Sequence, residues 1–170
     1  ELLLYLSMNH KGNTTHRKIN LEDIINTLGV VALTLRENPH QALKDLREIG
    51  KKIDEQIPYR DGHILRVTEY CLAIASRLGF SEEEKVVLEV AALLHDFGKI
   101  GINEEILLQP RRLTDEEKDE VNMHVMRGYY MLAGFNELIE ALGGVKSHHE
   151  CYNGSGYPEG LSKGEIPLIA

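Results

Sequence analysis

Residues 86–98 read VVLEVAALLHDFG, a helix-length run that is apolar almost all the way round and ends in a histidine and an aspartate. A helix without a polar face has to sit at the centre of its fold. The chain is therefore committed to wrapping other elements around this segment and to carrying His95 and Asp96 into the interior. Burying an imidazole and a carboxylate is costly unless each finds a partner or a metal ion.

The flanking sequence is helical by period. LEDIINTLGVVALTLRE (21–37) sets apolar residues at helical spacing behind Asn20, a candidate N-cap. Asn38-Pro39 ends that helix, and Pro39 opens a second one running to about Gln56. After a break over 58–62, a third helix runs from His63 to Leu78 and is stopped by Gly79. Ser81 with Glu84 forms a capping box ahead of the central helix, and Thr114 with Glu117 forms another, opening a helix through Leu132. A helix pair over 136–149 completes the set, with loops at 98–103, 109–113 and 153–166. Nothing alternates with period two, so the expected fold class is all-α.

A chain of 170 residues with 42% apolar content fits a domain that buries a proper core. Acidic residues outnumber basic ones, 27 to 19, and the net charge of −8 argues against DNA or an anionic membrane as a general partner. No run approaches the roughly 20 apolar residues of a membrane span. The opening LLLYL is too short, and lacks the basic flank, to be a signal peptide. Because the chain begins at Glu1, it is read as a piece of something longer. Cys71 and Cys151 lie far apart with no paired spacing, so neither a zinc knuckle nor a disulfide framework is suggested. Cys71 falls in a helical apolar pattern and is expected in the core.

The histidines carry the chemistry. His10, His16 and His40 lie in polar surroundings and read as solvated side chains. His63, His95, His124, His148 and His149 instead sit on helices or at their ends, beside apolar sequence. Five imidazoles and one carboxylate from four helices are too many buried polar groups for chance pairing, whereas a shared cation satisfies them together. Imidazole and carboxylate without thiolate suit iron, manganese, zinc, cobalt or nickel. Six ligands exceed the four of a structural zinc site, so two divalent metal ions bridged by Asp96 are expected. Paired cations about 3.5–4 Å apart clamp a phosphodiester and acidify a water between them.

Lys99 can place a positive charge beside the same centre, or can serve as a helix C-terminal cation. His148 and His149 could both face one centre only at a helix end, since neighbours on a helix point about 100° apart. Asn153-Gly154 and Gly156 supply that end. Glu150 is expected to orient an imidazole from behind, or else to be surface charge.

The segments HDFGKIGI (95–102), NMHVMRGYYML (122–132), HHECYNGSGYP (148–158) and EGLSKGEIP (159–167), in this order, resemble the HD-GYP domain, a branch of the HD phosphohydrolase superfamily. The resemblance covers about residues 58–170. It implies a helical bundle around a metal centre and a metal-dependent phosphodiesterase that hydrolyses cyclic di-GMP to linear pGpG, GMP or both. By motif, His63, His95, Asp96, His124, His148 and His149 match metal ligands, with iron or manganese first among the candidate metals. Asp96 and Lys99 match catalytic positions. Gly156-Tyr157-Pro158 match the loop that names the branch, where the glycine lets backbone approach a nucleotide closely and Tyr157 can meet a base or a partner protein.

Three departures shape the expectation. Relatives with a third metal carry a glutamate where this chain has Tyr59, so two metals are expected. Asn153 stands where the loop usually has an aspartate. The family also continues into a further helix bearing an aspartate, beyond Ile169-Ala170. Residues 1–56 are read as an N-terminal linker and helical segment, and 57–170 as an HD-GYP-like domain that stops short at its C-terminal end. The first two helices either pack on the bundle or join two copies in a homodimer. The resemblance also implies a sensory or receiver module in the parent chain and a bacterial cytoplasmic location. Two other readings stay open: a regulatory module that binds metal and nucleotide with little turnover, and a hydrolase acting on another cyclic dinucleotide.

Overall fold

The computed structural model describes residues 20–55 and 62–170. Four longer helices come first: α1 (Leu21–Glu37), α2 (Pro39–Asp54), α3 (His63–Leu78) and α4 (Glu82–Leu94). A 3-10 turn over Phe97–Gly101 leads into the one-turn α5 (Glu104–Leu107), then α6 (Asp115–Asn122) and α7 (His124–Leu132). A second 3-10 segment, Asn136–Ala141, precedes α8 (Leu142–Ser147), and a third occupies Lys163–Glu165. Among the described residues there is no strand, only an isolated antiparallel bridge between Asn153 and Ser162. The all-α expectation holds.

The caps read from sequence are present. Asn20 accepts from the Glu22 amide at 3.0 Å. Asn38 both ends α1 and accepts from Gln41 at the start of α2. Both reciprocal capping boxes form, Ser81 with Glu84 and Thr114 with Glu117. Each satisfies amides that a helix start otherwise leaves bare.

α4 is the central helix, with every residue from Leu88 to Leu94 buried. Glu89 within that run is answered from α2 by Arg47, at 3.0 Å from Nε and 2.6 Å from an Nη atom. Around α4, one contiguous core joins Leu28 of α1, Leu46 of α2, Ile64 of α3, Leu132 of α7 and Val145 of α8. Burying each such side chain contributes about 1.5–3 kcal/mol. α1 packs on α2 and on the 136–141 segment, and α2 packs on α3 and α4, so the first two helices are part of the bundle.

Several boundaries differ from the sequence reading. α2 ends at Asp54 rather than near Gln56. The helix expected from Thr114 through Leu132 is broken at Met123, which makes His124 the first residue of a new helix. The stretch 98–103 is no open loop, because Gly98 is pressed against α7: a Cβ there would lie 1.9 Å from the His124 carbonyl oxygen. The first member of the expected 136–149 pair is a 3-10 segment. Cys71 is half-buried on a groove wall rather than in the core. Among the described residues no helix is long and apolar enough to cross a membrane. The readings on the opening LLLYL, on His10 and His16, and on Tyr59 lie outside the described residues.

Candidate metal centre

Helix ends build the site. His63 is the first residue of α3 and His124 the first of α7. His95 caps the C-terminus of α4, and His148 caps α8. Asp96 follows His95 where the chain tightens into the 97–101 turn, and that turn returns Lys99 to it, Nζ to Oδ2 2.6 Å. An end, unlike a mid-helix position, lets consecutive residues such as His148 and His149 face one centre.

The position of His63 depends on a residue well before it in sequence. Gly62, at the N-cap of α3, brings no side chain to cap the helix. The buried Asp54, at the end of α2, does so instead, its Oδ2 accepting from the Ile64 amide at 2.9 Å.

All six residues expected as ligands come together. Asp96, 2% exposed, is the hub. Its Oδ2 lies 3.3 Å from His95 Nε2 and 3.9 Å from His63 Nε2. Its Oδ1 lies 3.4 Å from His124 Nε2 and 3.9 Å from His148 Nε2. His149 completes the cluster, its ring 4.3 Å from that of His148 and 5.2 Å from that of His124.

Three rings are oriented by the backbone carbonyl three residues before them. Nδ1 of His95 lies 2.7 Å from the Ala92 carbonyl oxygen, that of His124 2.6 Å from Val121, and that of His148 2.8 Å from Val145. A carbonyl only accepts, so Nδ1 carries a proton and Nε2 is the ring atom left to face Asp96 or a cation. Burial, reinforced by the neighbouring His95 and His149, pushes His148 down to about 3. Burial and the nearby His124 and Lys99 push His149 down to about 4. Both rings are therefore neutral at pH 7. Burial works against the ionised form of Asp96, but the neighbouring His124, His95 and Lys99 outweigh it and hold the carboxyl well below the usual carboxylate range.

This donor set fits divalent cations. Nε2 of His124 and of His148 stand 3.2 Å apart. Nδ1 of each ring faces a backbone carbonyl, so these two Nε2 atoms are free to turn their lone pairs to a cation placed beside both. Potential ligand atoms fall into two groups, each within 4.8 Å: His63, His95 and Asp96, and His124, His148 and His149. A cavity of about 440 Å³ opens beside them, with His63, His95, Asp96, Lys99 and His148 in its wall and largely apolar residues of α3 and α4 beyond.

Glu150 acts differently from the sequence expectation. Its two carboxylate oxygens accept from the loop amides of Glu159, at 2.8 Å, and Leu161, at 2.9 Å, rather than from an imidazole. Tyr157, in that loop, stacks on His149 with ring centroids 4.7 Å apart and planes 14° apart. Sequence reasoning missed this latch and the Asp54 cap, because each spans about ten residues and depends on where a loop folds back. A buried acid one turn before the break ahead of His63 was the available signal for Asp54.

Helical packing around a buried histidine–carboxylate cluster that could hold divalent cations defines the class: an all-α domain with a candidate metal centre. The sequence pattern of the HD domain matches residues 50–170, and the chain belongs to the HD domain family. Among curated relatives, the cyclic di-GMP phosphodiesterase response regulator RpfG of Xanthomonas campestris is 40% identical over 130 residues, covering 73% of this chain and 34% of that protein. A cyclic di-GMP phosphodiesterase of Thermotoga maritima is 42% identical over 116 residues, 65% of this chain and 32% of that protein. The 3'3'-cGAMP-specific phosphodiesterase 3 of Vibrio cholerae is 38% identical over 123 residues, 71% and 26% respectively. The chain thus spans about a third or less of the length of these relatives.

Proposed function

We propose that this chain is the hydrolytic domain of a metal-dependent phosphodiesterase that opens cyclic di-GMP to linear pGpG, GMP or both. One observation carries the reading: a single buried carboxylate, Asp96, is approached by imidazoles on both oxygens, His63 and His95 at Oδ2, His124 and His148 at Oδ1. Two divalent ions would be held by His63, His95 and Asp96 and by His124, His148 and His149, with the second Asp96 oxygen within reach of the latter group. Iron or manganese suits the nitrogen- and oxygen-only donors, and zinc, cobalt and nickel share the preference.

When bound, such ions supply Lewis acidity toward a phosphodiester and lower the pKa of water. The chain supplies the rest. Asp96 and the imidazoles around it hold fixed positions, so little reorganisation is needed as charge develops on the phosphoryl oxygens. Lys99 keeps its ammonium in the wall of the same cavity, where it offsets negative charge on non-bridging oxygens. The loop at 156–158 lies against His149 and borders the place where a nucleotide has to approach.

The names of the relatives favour one second reading, a different cyclic dinucleotide as substrate, because some are specific for 3'3'-cGAMP. The relative named as a response regulator supports a receiver module in the parent chain. The test is elemental analysis of full-length protein purified without oxygen, joined to product assays with cyclic di-GMP and 3'3'-cGAMP. Two metal equivalents and a linear product from cyclic di-GMP are expected. Metal-replete protein that leaves both nucleotides intact overturns the reading.

A further inference from the structure

We propose that Tyr157 is a positioning residue that sets the plane of the His149 imidazole, and that Glu150 is the latch holding Tyr157 there. The inference rests on the reading of His149 as a metal ligand. It begins from a difference among the rings. His95, His124 and His148 are each steered by the carbonyl three residues back, a bond the preceding helical turn provides. His149 has passed the end of α8 and, among the described residues, shows no bond of that kind.

What it has instead is the loop. The His149 carbonyl accepts the Tyr157 amide at 3.2 Å, and the two rings lie nearly parallel. The loop is seated too closely for any side chain at Gly156, where a Cβ would fall 2.3 Å from the Cys151 nitrogen and 2.5 Å from the His149 carbonyl oxygen. Glu150 then grips the far side through the amides of Glu159 and Leu161, and Lys146 of α8 pairs with Glu159 at 2.8 Å. Tyr157 is thus fixed from both directions, and its ring is the flat surface against which His149 rests. A ligand or protein that shifts residues 156–161 would turn this imidazole, a coupling that the three helix-steered rings do not have.

Groups that orient a metal ligand typically matter by 10–100-fold in metal affinity. The experiment uses full-length protein stripped of metal and titrated with Mn²⁺ against a competing chelator, for wild type, Tyr157→Leu, Tyr157→Phe and Glu150→Ala. Tyr157→Leu is expected to weaken Mn²⁺ binding by about tenfold, whereas Tyr157→Phe, which keeps the ring, stays within about twofold of wild type. Glu150→Ala is expected to move in the same direction as Tyr157→Leu, without touching the stack itself. Tyr157→Leu that binds Mn²⁺ as wild type does while its KM for cyclic di-GMP rises makes Tyr157 a substrate contact and overturns the proposal. Tyr157→Phe as weak as Tyr157→Leu assigns the effect to the hydroxyl and overturns it too. Wild-type protein that takes up no metal brings down the metal-centre reading itself, a result distinct from either.

Discussion

Gly98 shows how a single residue sets the spacing of the site. It lies two residues after Asp96, against the first turn of α7, where His124 begins. An added Cβ would meet the His124 carbonyl oxygen at 1.9 Å and the Gly128 nitrogen at 2.5 Å, both rigid backbone atoms. Gly98→Ala therefore has to push α7 outward and carry His124 away from Asp96. Overpacking of this kind costs about 1–3 kcal/mol or more. Denaturant unfolding of the variant is expected to show at least that loss, together with weaker metal retention. Gly134→Ala is the matched control, since a Cβ there meets nothing within 4 Å. It is expected to stay within about 0.5 kcal/mol of wild type. Asp96→Ala acts on chemistry rather than spacing. It removes the carboxylate that four of the imidazoles approach, and elemental analysis is expected to find the metal lost along with hydrolysis.

At the scale of elements, the junction between α2 and α3 shows how His63 is delivered. Gly50 of α2 allows close contact with Ile64, whose Cγ2 would be 2.9 Å from an added Cβ, and Asp54 caps the amide of the same isoleucine. Removing an N-cap acceptor typically costs about 1 kcal/mol, and substitutes that retain an acceptor cost much less. Asp54→Ala is expected to lower stability by about that amount and Asp54→Asn by clearly less, with amide hydrogen exchange at Ile64 accelerated only in the alanine variant. Equal protection of Ile64 in both would show that the cap does not matter.

The same junction marks where the sequence was readable. Asn20, Ser81 and Thr114 announced their helices because each cap bonds within three residues. The six-residue cluster was also legible, because buried imidazoles beside apolar sequence demand a common explanation. Asp54, the break at Met123 and the latch at Glu150 were not, because each is decided by an element that arrives from elsewhere. Met123 ends α6 where α7 has to meet the 97–101 turn, and no local propensity encodes that encounter.

For the molecule as a whole, the cluster makes stability a function of pH and of metal together. In unfolded chain a histidine titrates near 6.5, but in the fold His148 is pushed down to about 3 and His149 to about 4, chiefly by burial. Between those values and 6.5 the unfolded chain binds more protons than the folded one, so stability rises with pH across that window. The contribution of these rings is fully present above about 6.5 and is lost as pH falls toward 4 and then 3. Asp96, also lowered, adds a term of the same sign below the ordinary carboxylate range. The exposed half of His149 is screened by solvent and counts for less. Metal-free protein is therefore expected to show a Tm that falls steadily from pH 7 to pH 5. A divalent ion that binds only the folded form raises Tm at pH 7, by RT ln(1 + [L]/Kd) in free energy. Protons and cations compete for the same Nε2 lone pairs, and at His148 and His149 that competition sets in only as pH approaches their folded-state values of about 3 and 4, so the increment has to shrink below about pH 5. Scanning calorimetry at pH 7, 6, 5 and 4, with and without Mn²⁺, tests both parts. A metal-free Tm that stays level or rises toward pH 5 would mean that the rings are charged in the fold, and a metal-induced increment that is as large at pH 4 as at pH 7 would mean that the ion binds elsewhere.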